Sequence, residues 1–502
     1  MKLKLTLAVI FCTTFLFGQN IPPEKFFFNG SVPNKIIKLD PVNSTTLQDA
    51  IDKTSANGGG RITIPPGYHT LARSVSLKSN VHIIVDSKAN LKVPNSFNGP
   101  IFNLGETNTE QEVSNVKIAS NNGRKFTVDY SNIPPERRVF VGNIGYITNF
   151  SISNVNIVDN KTLFSAFRIG PKAKRGSGKD FETRKPSNGI IKNCSINNAN
   201  YGYGLVQFAG GKNMLFRNLR GVGGVTLRME GSATGLKEAG FTYGNQENIY
   251  GDRIRCRNGN AAVMISPHAK KHGKVLINDV VAVDCGIGIR VDPGFGKVKG
   301  FYSPKPIFKG TIRIIKTGKK VAQIKQKHYV YYPVDFIKNN PFNSLPNSVS
   351  SEPQVKVSEA IAPILYRARP SASGKVDNNN GDYDIDIKAK TIIKGFGCTP
   401  DIVYGLQKNK VCSNNKTRFL DTDATSPKTI NLYPQPAKAT LTIDHLIGSG
   451  TITIYNISGK IVQKDVFNTE SKTINTATLT SGSYFLTAKG SELNFSKKIL
   501  IK

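Results

Sequence analysis

Short runs in which apolar and polar residues alternate recur along the middle of the chain. In residues 224–232, Val225, Leu227 and Met229 fall on one side and Thr226, Arg228, Glu230 and Ser232 on the other, the period of two of a β-strand. Val206 and Phe208 flank Gln207 in the same way. Val263 and Ile265 precede His268, and Ile287, Ile289 and Val291 leave Arg290 and Asp292 on the opposite side. An Asn or Asp opens an apolar strand run at Asn80, Asn115, Asn154, Asn193, Asn218, Asp252 and Asp279, in steps of 35, 39, 39, 25, 34 and 27 residues by subtraction. Both residue types tolerate the left-handed backbone of tight turns. Repeats of this size cannot bury their own apolar face, so they predict stacking into a solenoid of parallel strands, a β-helix. The hairpin signals of a globular sandwich, such as Asn-Gly between strands, are sparse.

Stacking gathers the polar positions. With the strands aligned, Gln207, Glu230 and His268 are expected at corresponding places on successive coils, with Arg228, Arg290 and Asp292 beside them and Arg168 in an earlier coil. Such a face reads as a catalytic acid flanked by polar and cationic groups. Each member also has an ordinary explanation. An outward Glu is commonly solvated surface, and Gln207 can hydrogen-bond along the coil. His268 sits in a loop-like Ser-Pro-His-Ala-Lys run, the arginines suit surface pairs, and Asp292 before Pro293-Gly294 reads as a turn residue.

Composition adds a class of partner. The chain has 502 residues, with Lys+Arg 68 against Asp+Glu 34 for a net charge of +34, and no Trp. Charge of that size concerns solubility and partners rather than fold. It suits a polyanionic polysaccharide, an anionic membrane surface or nucleic acid, but no helix-turn-helix or RNA-binding motif accompanies it. The basic residues are dispersed, clustering at Lys172–Arg175 and at Lys270-Lys271. Residues 1–19 read as a secretory signal, with Lys2 and Lys4 before an apolar run from Leu5 to Phe17 that is too short to span a bilayer. Removing it leaves five cysteines. Cys398 and Cys412 are the disulfide candidates of an exported chain, while Cys194, Cys256 and Cys285 fall in or near strands as core residues. No Cys/His spacing reads as a zinc site.

The two ends differ in character. Residues 45–52 carry apolar positions at helical spacing, followed by a glycine run and the strand Ile62-Thr63-Ile64 before Pro65-Pro66-Gly67. This order resembles the capping start of pectin-lyase-like right-handed β-helices, where a helix covers the open end of the solenoid. Residues 413–428 are polar and turn-rich, a linker. Short alternating strands follow at 440–443, 451–455 and 483–487, with a closing run at 497–502. Leu432-Tyr433-Pro434-Gln435-Pro436, Tyr455-Asn456-Ile457-Ser458-Gly459-Lys460 and Gly482-Ser483-Tyr484 resemble the C-terminal sorting domain of type IX secretion. The expected organisation is all-β: signal 1–19, right-handed parallel β-helix 20–412, linker 413–428 and a small β-sandwich sorting domain 429–502. Export to the cell surface or medium is implied, with the type IX machinery as a partner.

Gln207, Glu230 and His268 on neighbouring coils of an exported β-helix resemble glycoside hydrolase family 82, the iota-carrageenases, most clearly from about Tyr203 to Phe295. The resemblance implies inverting hydrolysis of β-1,4 linkages in a sulfated galactan by a monomer. It implies no required cofactor, and allows a structural calcium, sodium or chloride ion. Glu230 matches the family's acid, and Gln207 and His268 its polar partners. Two residues on, the family's Asp base is replaced by Ser232, which cannot serve as a carboxylate base. Inverting hydrolysis needs a protonated carboxyl and a base about 6.5–9.5 Å apart, so the base must come from elsewhere. His268, Asp292 about 10 Å away by strand spacing, or Glu238 and Glu247 in the following insertion are the candidates. Partial burial is expected to keep Glu230 protonated, while Arg228, Arg290 and Arg168 are candidates to clamp sulfate oxygens. Two other readings stand beside this one: a polysaccharide lyase on a uronate polymer, and a binding protein without catalysis. Residues 297–373 are left unplaced, with a lobe over the groove as one arrangement.

Overall fold

In a computed structural model the chain forms two compact units, residues 1–413 and 414–502. The structure describes residues 20–105, 111–172, 180–231, 240–348, 354–413, 430–444, 446, 449–469, 471–490 and 494–502. The expected signal segment, linker residues 414–428, Ser232 and Glu238 lie outside them.

The first unit is a parallel β-helix whose coils lay strands on three faces. One coil runs through Val113–Ser120, Phe126–Asp129 and Val139–Ile144, and the next through Ile147–Ser153, Val155–Val158 and Phe167–Ile169. Each strand pairs in parallel with its counterpart one coil on. The corners are made as the sequence predicts. Asn80, Asn115, Asn154, Asn193, Asn218 and Asp279 all have positive φ, between 51° and 63°. At the Asp252 repeat the left-handed residue is instead its neighbour Arg253. Stacked amides bind the corners together, Asn218 Nδ2 donating to Asn193 Oδ1 at 2.8 Å and Asn193 Nδ2 to Asn154 Oδ1 at 3.1 Å.

Between the faces lies one apolar core. On the third face the inward register runs Phe102, Gly142, Phe167, Val206, Leu227, Val263, Ile289, Ile364 and Ile402. A fully buried side chain of this size contributes roughly 1.5–3 kcal/mol, and a one-residue slip would turn the whole row outward. The register of the polar row is therefore fixed by the core behind it.

At the N-terminal end the helix Ser44–Ala56 covers the first coils with Leu47, Ala50, Ile51 and Thr54. Its first turn is closed by Asn43, whose side chain accepts from the backbone of Thr45 and Thr46. Near the other end the solenoid continues through Ile307–Ile315 and Ala362–Tyr366, and the chain between them leaves it. There Ala322–Lys325 pairs antiparallel with Val355–Ser358, and two short helices, Gln326–Tyr329 and Val334–Asn339, follow the first of these strands. Tyr329, Tyr332 and Leu345 pack with Leu365 and Val403, which project from the third face. The unplaced stretch is thus partly solenoid and partly a lobe. Cys398 and Cys412 form a disulfide with a Cα–Cα distance of 5.8 Å, and Cys194, Cys256 and Cys285 are buried and free.

The second unit has an antiparallel sheet of three strands and another of four around a common core that includes Leu441, Ile454 and Leu486, the expected β-sandwich. Among the described residues no helix is long and apolar enough to cross a membrane.

Candidate active site

The polar side of the third face carries the candidate residues, in a register different from the expected one. The row runs Asn143, Arg168, Gln207, Arg228, Met264 and Arg290. Gln207 is therefore level with Arg228, not with Glu230. Glu230 is level with Ser266, and His268 lies two residues beyond. His268 still reaches Glu230 because its backbone turns back, with φ at 52°. Its Nε2 sits 2.8 Å from Glu230 Oε1, and Phe295 packs on the ring with centroids 4.0 Å apart. Alternation puts Glu230 on this side of the sheet, and the left-handed turn brings the histidine to it.

Arg228 pairs with Glu230 from the same strand, donates to the Gly202 carbonyl and lies over the Tyr203 ring. Glu230 is 7% exposed. Burial alone would raise its pKa. Arg228, the hydrogen bond and charge of His268, and Arg290 act against that and hold it down at about 2. The expectation of a carboxyl kept protonated by burial is thus corrected: as it stands, the site holds a carboxylate, because three cationic or donor groups outweigh desolvation. A small residue must follow Glu230, since a Cβ on Gly231 would lie 2.8 Å from His272 Nε2 and 3.0 Å from the Pro267 carbonyl. His272 is itself pushed down to about 3 by burial. It stays neutral, accepting from the Gln246 backbone N–H through Nδ1.

Arg290 and Asp292 are more deeply committed than the sequence suggests. Asp292 takes Arg290 Nε at 2.8 Å and Arg367 Nη1 at 2.9 Å. Arg290 Nη1 also donates to Asn260 Oδ1 at 3.3 Å. Despite the desolvation, the two guanidinium groups hold the Asp292 carboxyl far below the usual range. Asp292 is therefore a buried anchor rather than a turn residue or a poised base. Most of Arg290's fork is spent on that anchor, which corrects its place as a free sulfate clamp. Arg168 lies between the rings of Phe140 and Phe164, at 5.2 and 4.1 Å, and among the described residues it makes no ion pair. Of the other candidates, Lys270 is buried and donates to the Gly240 carbonyl. Glu247 pairs with Lys212 and Lys185 on a different face.

The lobe supplies what sequence reasoning missed. A cleft of about 140 Å³ opens between Tyr201, Tyr203, Arg228, Glu230 and Arg290 on the solenoid and Lys325 and Lys327 on the lobe. The lobe is fastened to the coil corner through Gln323, whose Oε1 accepts the Gly224 N–H at 2.7 Å and whose Nε2 donates to the Ala199 carbonyl at 3.2 Å. Gly224 has φ at 61°, and a Cβ there would meet the Tyr203 carbonyl at 2.1 Å, so only glycine fits. Burial, and then the charge of Arg290, lower the pKa of Lys327, and the cleft carries cations on both walls. The Tyr-Gly-Tyr-Gly run at 201–204 was a visible signal for aromatic lining, whereas nothing in the Lys325–Lys327 sequence pointed to this face. Away from this face in sequence, the acidic residues at 384 and 386 are engaged in ion pairs, Asp384 with Lys305 and Arg369, and Asp386 with Lys388.

With this geometry in view, comparisons with known proteins bear on both units. Residues 431–502 match the family described as Secretion system C-terminal sorting domain. The chain is similar to an iota-carrageenase of Alteromonas macleodii, 38% identical over 255 residues, which is 50% of this chain and 50% of that one. It is also similar to an iota-carrageenase of Zobellia galactanivorans, 35% identical over 277 residues, 54% of each chain. The chain thus spans about half the length of the curated relatives it matches. Among solved structures, a 1,3-alpha-1,4-beta-D-galactose-4-sulfate-3,6-anhydro-D-galactose-2-sulfate 4 galactohydrolase superposes with a TM-score of 0.63 at 26% identity. That alignment covers 75% of this chain and 94% of that one.

Proposed function

We propose that this protein is an exported glycoside hydrolase that cleaves β-1,4 linkages of iota-carrageenan, or of a closely related sulfated galactan, with inversion at the anomeric carbon. The observation that carries this is the Glu230–His268 hydrogen bond at a cation-walled cleft that Glu230 lines, in a chain similar to iota-carrageenases. Glu230 is the proton donor to the glycosidic oxygen. His268 and Gln207 orient the attacking water, His268 through the ring that touches Glu230 and Gln207 from its place level with Arg228. A sulfated strand lies along the cleft with its esters toward Arg228, Lys325 and Lys327, while Arg168 meets an ester further along the row.

This arrangement gives the substrate's charge a catalytic part. Glu230 is a carboxylate while Arg228 pairs with it, and a general acid must carry a proton. A sulfate ester that takes Arg228 into its own ion pair removes the strongest charge holding Glu230 ionised, and the carboxyl gains proton affinity inside a buried site. Kinetically, the limb set by this acid should lie at higher pH in kcat, which reports the complex, than in kcat/KM, which reports the free protein. Digestion of a panel of sulfated galactans and uronate polymers tests the reading. New reducing ends without an unsaturated chromophore are expected, from sulfated galactan only, with the α anomer first in NMR of fresh products. Unsaturated ends would establish a lyase, and binding without cleavage would leave a non-catalytic module.

A further inference from the structure

The first face of the solenoid carries a second row of outward positions that changes character along its length. In register it runs Ile36, Arg61, His82, Lys117, Ser151, Ile190, Leu215, Tyr250, Leu276 and Ile307. From Ile190 to Leu276 the row is apolar and covered: Phe27 packs on it, with Ile21 and Phe28 alongside. Where residues 30–36 of the same N-terminal segment run past Arg61, His82 and Lys117, the row turns polar with two cations, Arg61 and Lys117, and a groove of about 670 Å³ stays open. Thr63, Ser120 and Asn121 add polar groups to its wall, and none of its lining residues is acidic.

Cations nearby on this face are neutralised. Glu24 takes Lys192 and Arg217, Asp252 takes Arg217, and Glu247 takes Lys212. Arg61 and Lys117 lie two coils apart, on either side of His82, and make no ion pair among the described residues. Burial, and then Lys192 and Arg61, lower the pKa of Lys117. His82 is 4% exposed, burial lowers its pKa, and its Nε2 donates to Asn115 Oδ1 at 3.3 Å. The stretch is bounded by Asp40 and Asp86, which line the next depression along. Two unneutralised cations two coils apart, roughly 10 Å at about 4.8 Å per coil, with the imidazole of His82 between them, fit an anion that repeats along its length better than a single small ion.

We infer that the Arg61–His82–Lys117 groove is a second binding site for sulfate esters of a polysaccharide strand, separate from the Glu230 cleft and holding the protein on polymeric substrate. The choice of sulfated galactan as ligand rests on the proposed function; the existence of an anion site does not. The two cations make exposed ion pairs with the ligand, so their joint loss should weaken binding about three- to thirtyfold.

The test compares Glu230→Gln with Glu230→Gln/Arg61→Ala/Lys117→Ala by affinity electrophoresis in gels containing iota-carrageenan, its desulfated derivative, or single-stranded DNA. Weaker retardation of the triple variant by the sulfated polymer alone is expected. In the catalytically intact background, Arg61→Ala/Lys117→Ala should keep its rate on short oligosaccharides that fill only the cleft, and lose rate on polymer. Equal retardation of the two proteins in sulfated polymer would overturn the inference. So would an equal loss in DNA, which would mark a general polyanion surface, or a parallel loss of rate on short oligosaccharides, which would mark a structural role. The Glu230 cleft is judged by products from short oligosaccharides and this groove by retardation, so either can fail alone.

Discussion

At the scale of single residues, the site turns on one carboxylate with competing neighbours. Glu230 is buried deeply enough that desolvation favours its neutral form, yet Arg228, His268 and Arg290 hold it ionised down to about pH 2. Because its folded pKa is depressed, the stability it contributes is present above the ordinary glutamate value of 4.5 and is lost as pH falls towards 2. Removing Arg228 should undo most of the depression. In Arg228→Ala the Glu230 carboxyl, followed by carbon NMR of labelled protein, is expected to titrate in the ordinary glutamate range. No movement would mean that His268 and Arg290 suffice and that Arg228 does not govern the acid. The same variant should lose affinity for sulfated oligosaccharides far more than for desulfated ones, since a guanidinium fork matches sulfate oxygens. Equal losses would assign Arg228 to the sugar ring or to the fold.

At the scale of elements, corners and rows explain what the sequence made legible. Alternation identified the strands, and asparagines at Asn80, Asn115, Asn154, Asn193 and Asn218 marked the corners, because few other residues accept a left-handed backbone so readily. A second ladder at Asn149, Asn188, Asn213 and Asn248, also at positive φ, carried the same signal and went unread. The polar face was legible as a face but its register was not. His268 gains its place from a left-handed turn beyond the strand end, which periodicity does not encode. The lobe was illegible because Lys325 and Lys327 lie in a segment without repeat or alternation, docked by tertiary contacts through Gln323.

Two elements carry predictions. Asp292→Ala leaves Arg290 and Arg367 without their shared counter-charge, so about 3–5 kcal/mol should be lost in chemical denaturation; a loss below about 1 kcal/mol would contradict the anchor. Asp159 closes the turn after Val155–Val158, accepting from the backbone of Asn160 at 2.7 Å and Thr162 at 3.0 Å. Burial raises its pKa from 3.8 to about 7. The folded state therefore keeps a proton that the unfolded chain releases, and stability falls as pH rises through that window. Asp159→Asn should melt like the wild type at pH 4 and clearly above it at pH 8. Matching melts at both values would show that the buried carboxyl is not strained.

At the scale of the whole molecule, the two units carry different features. The solenoid holds both the Glu230 cleft and the cationic groove, and the C-terminal sandwich matches a sorting domain. A chain ending at Ser413 should keep kcat and KM on soluble oligosaccharides within about twofold, since surface changes away from a site shift energies by only about 0.5 kcal/mol, while failing to be exported from its native host. A large fall in kcat would mean that the sandwich completes the site. Under the proposed function, the net charge of +34 would attract a sulfated polymer at long range, an effect that salt screens over about 8 Å at physiological ionic strength.

The central claim is that Glu230 delivers the proton that breaks a galactan linkage, and Glu230→Gln tests it most directly. The amide keeps the shape of the side chain but carries no transferable acid proton. Reducing-end release from iota-carrageenan should fall by about 10²–10⁴-fold, with binding of the sulfated polymer and the melting temperature close to wild type. Hydrolysis within a few-fold of wild type by the folded variant would contradict the account.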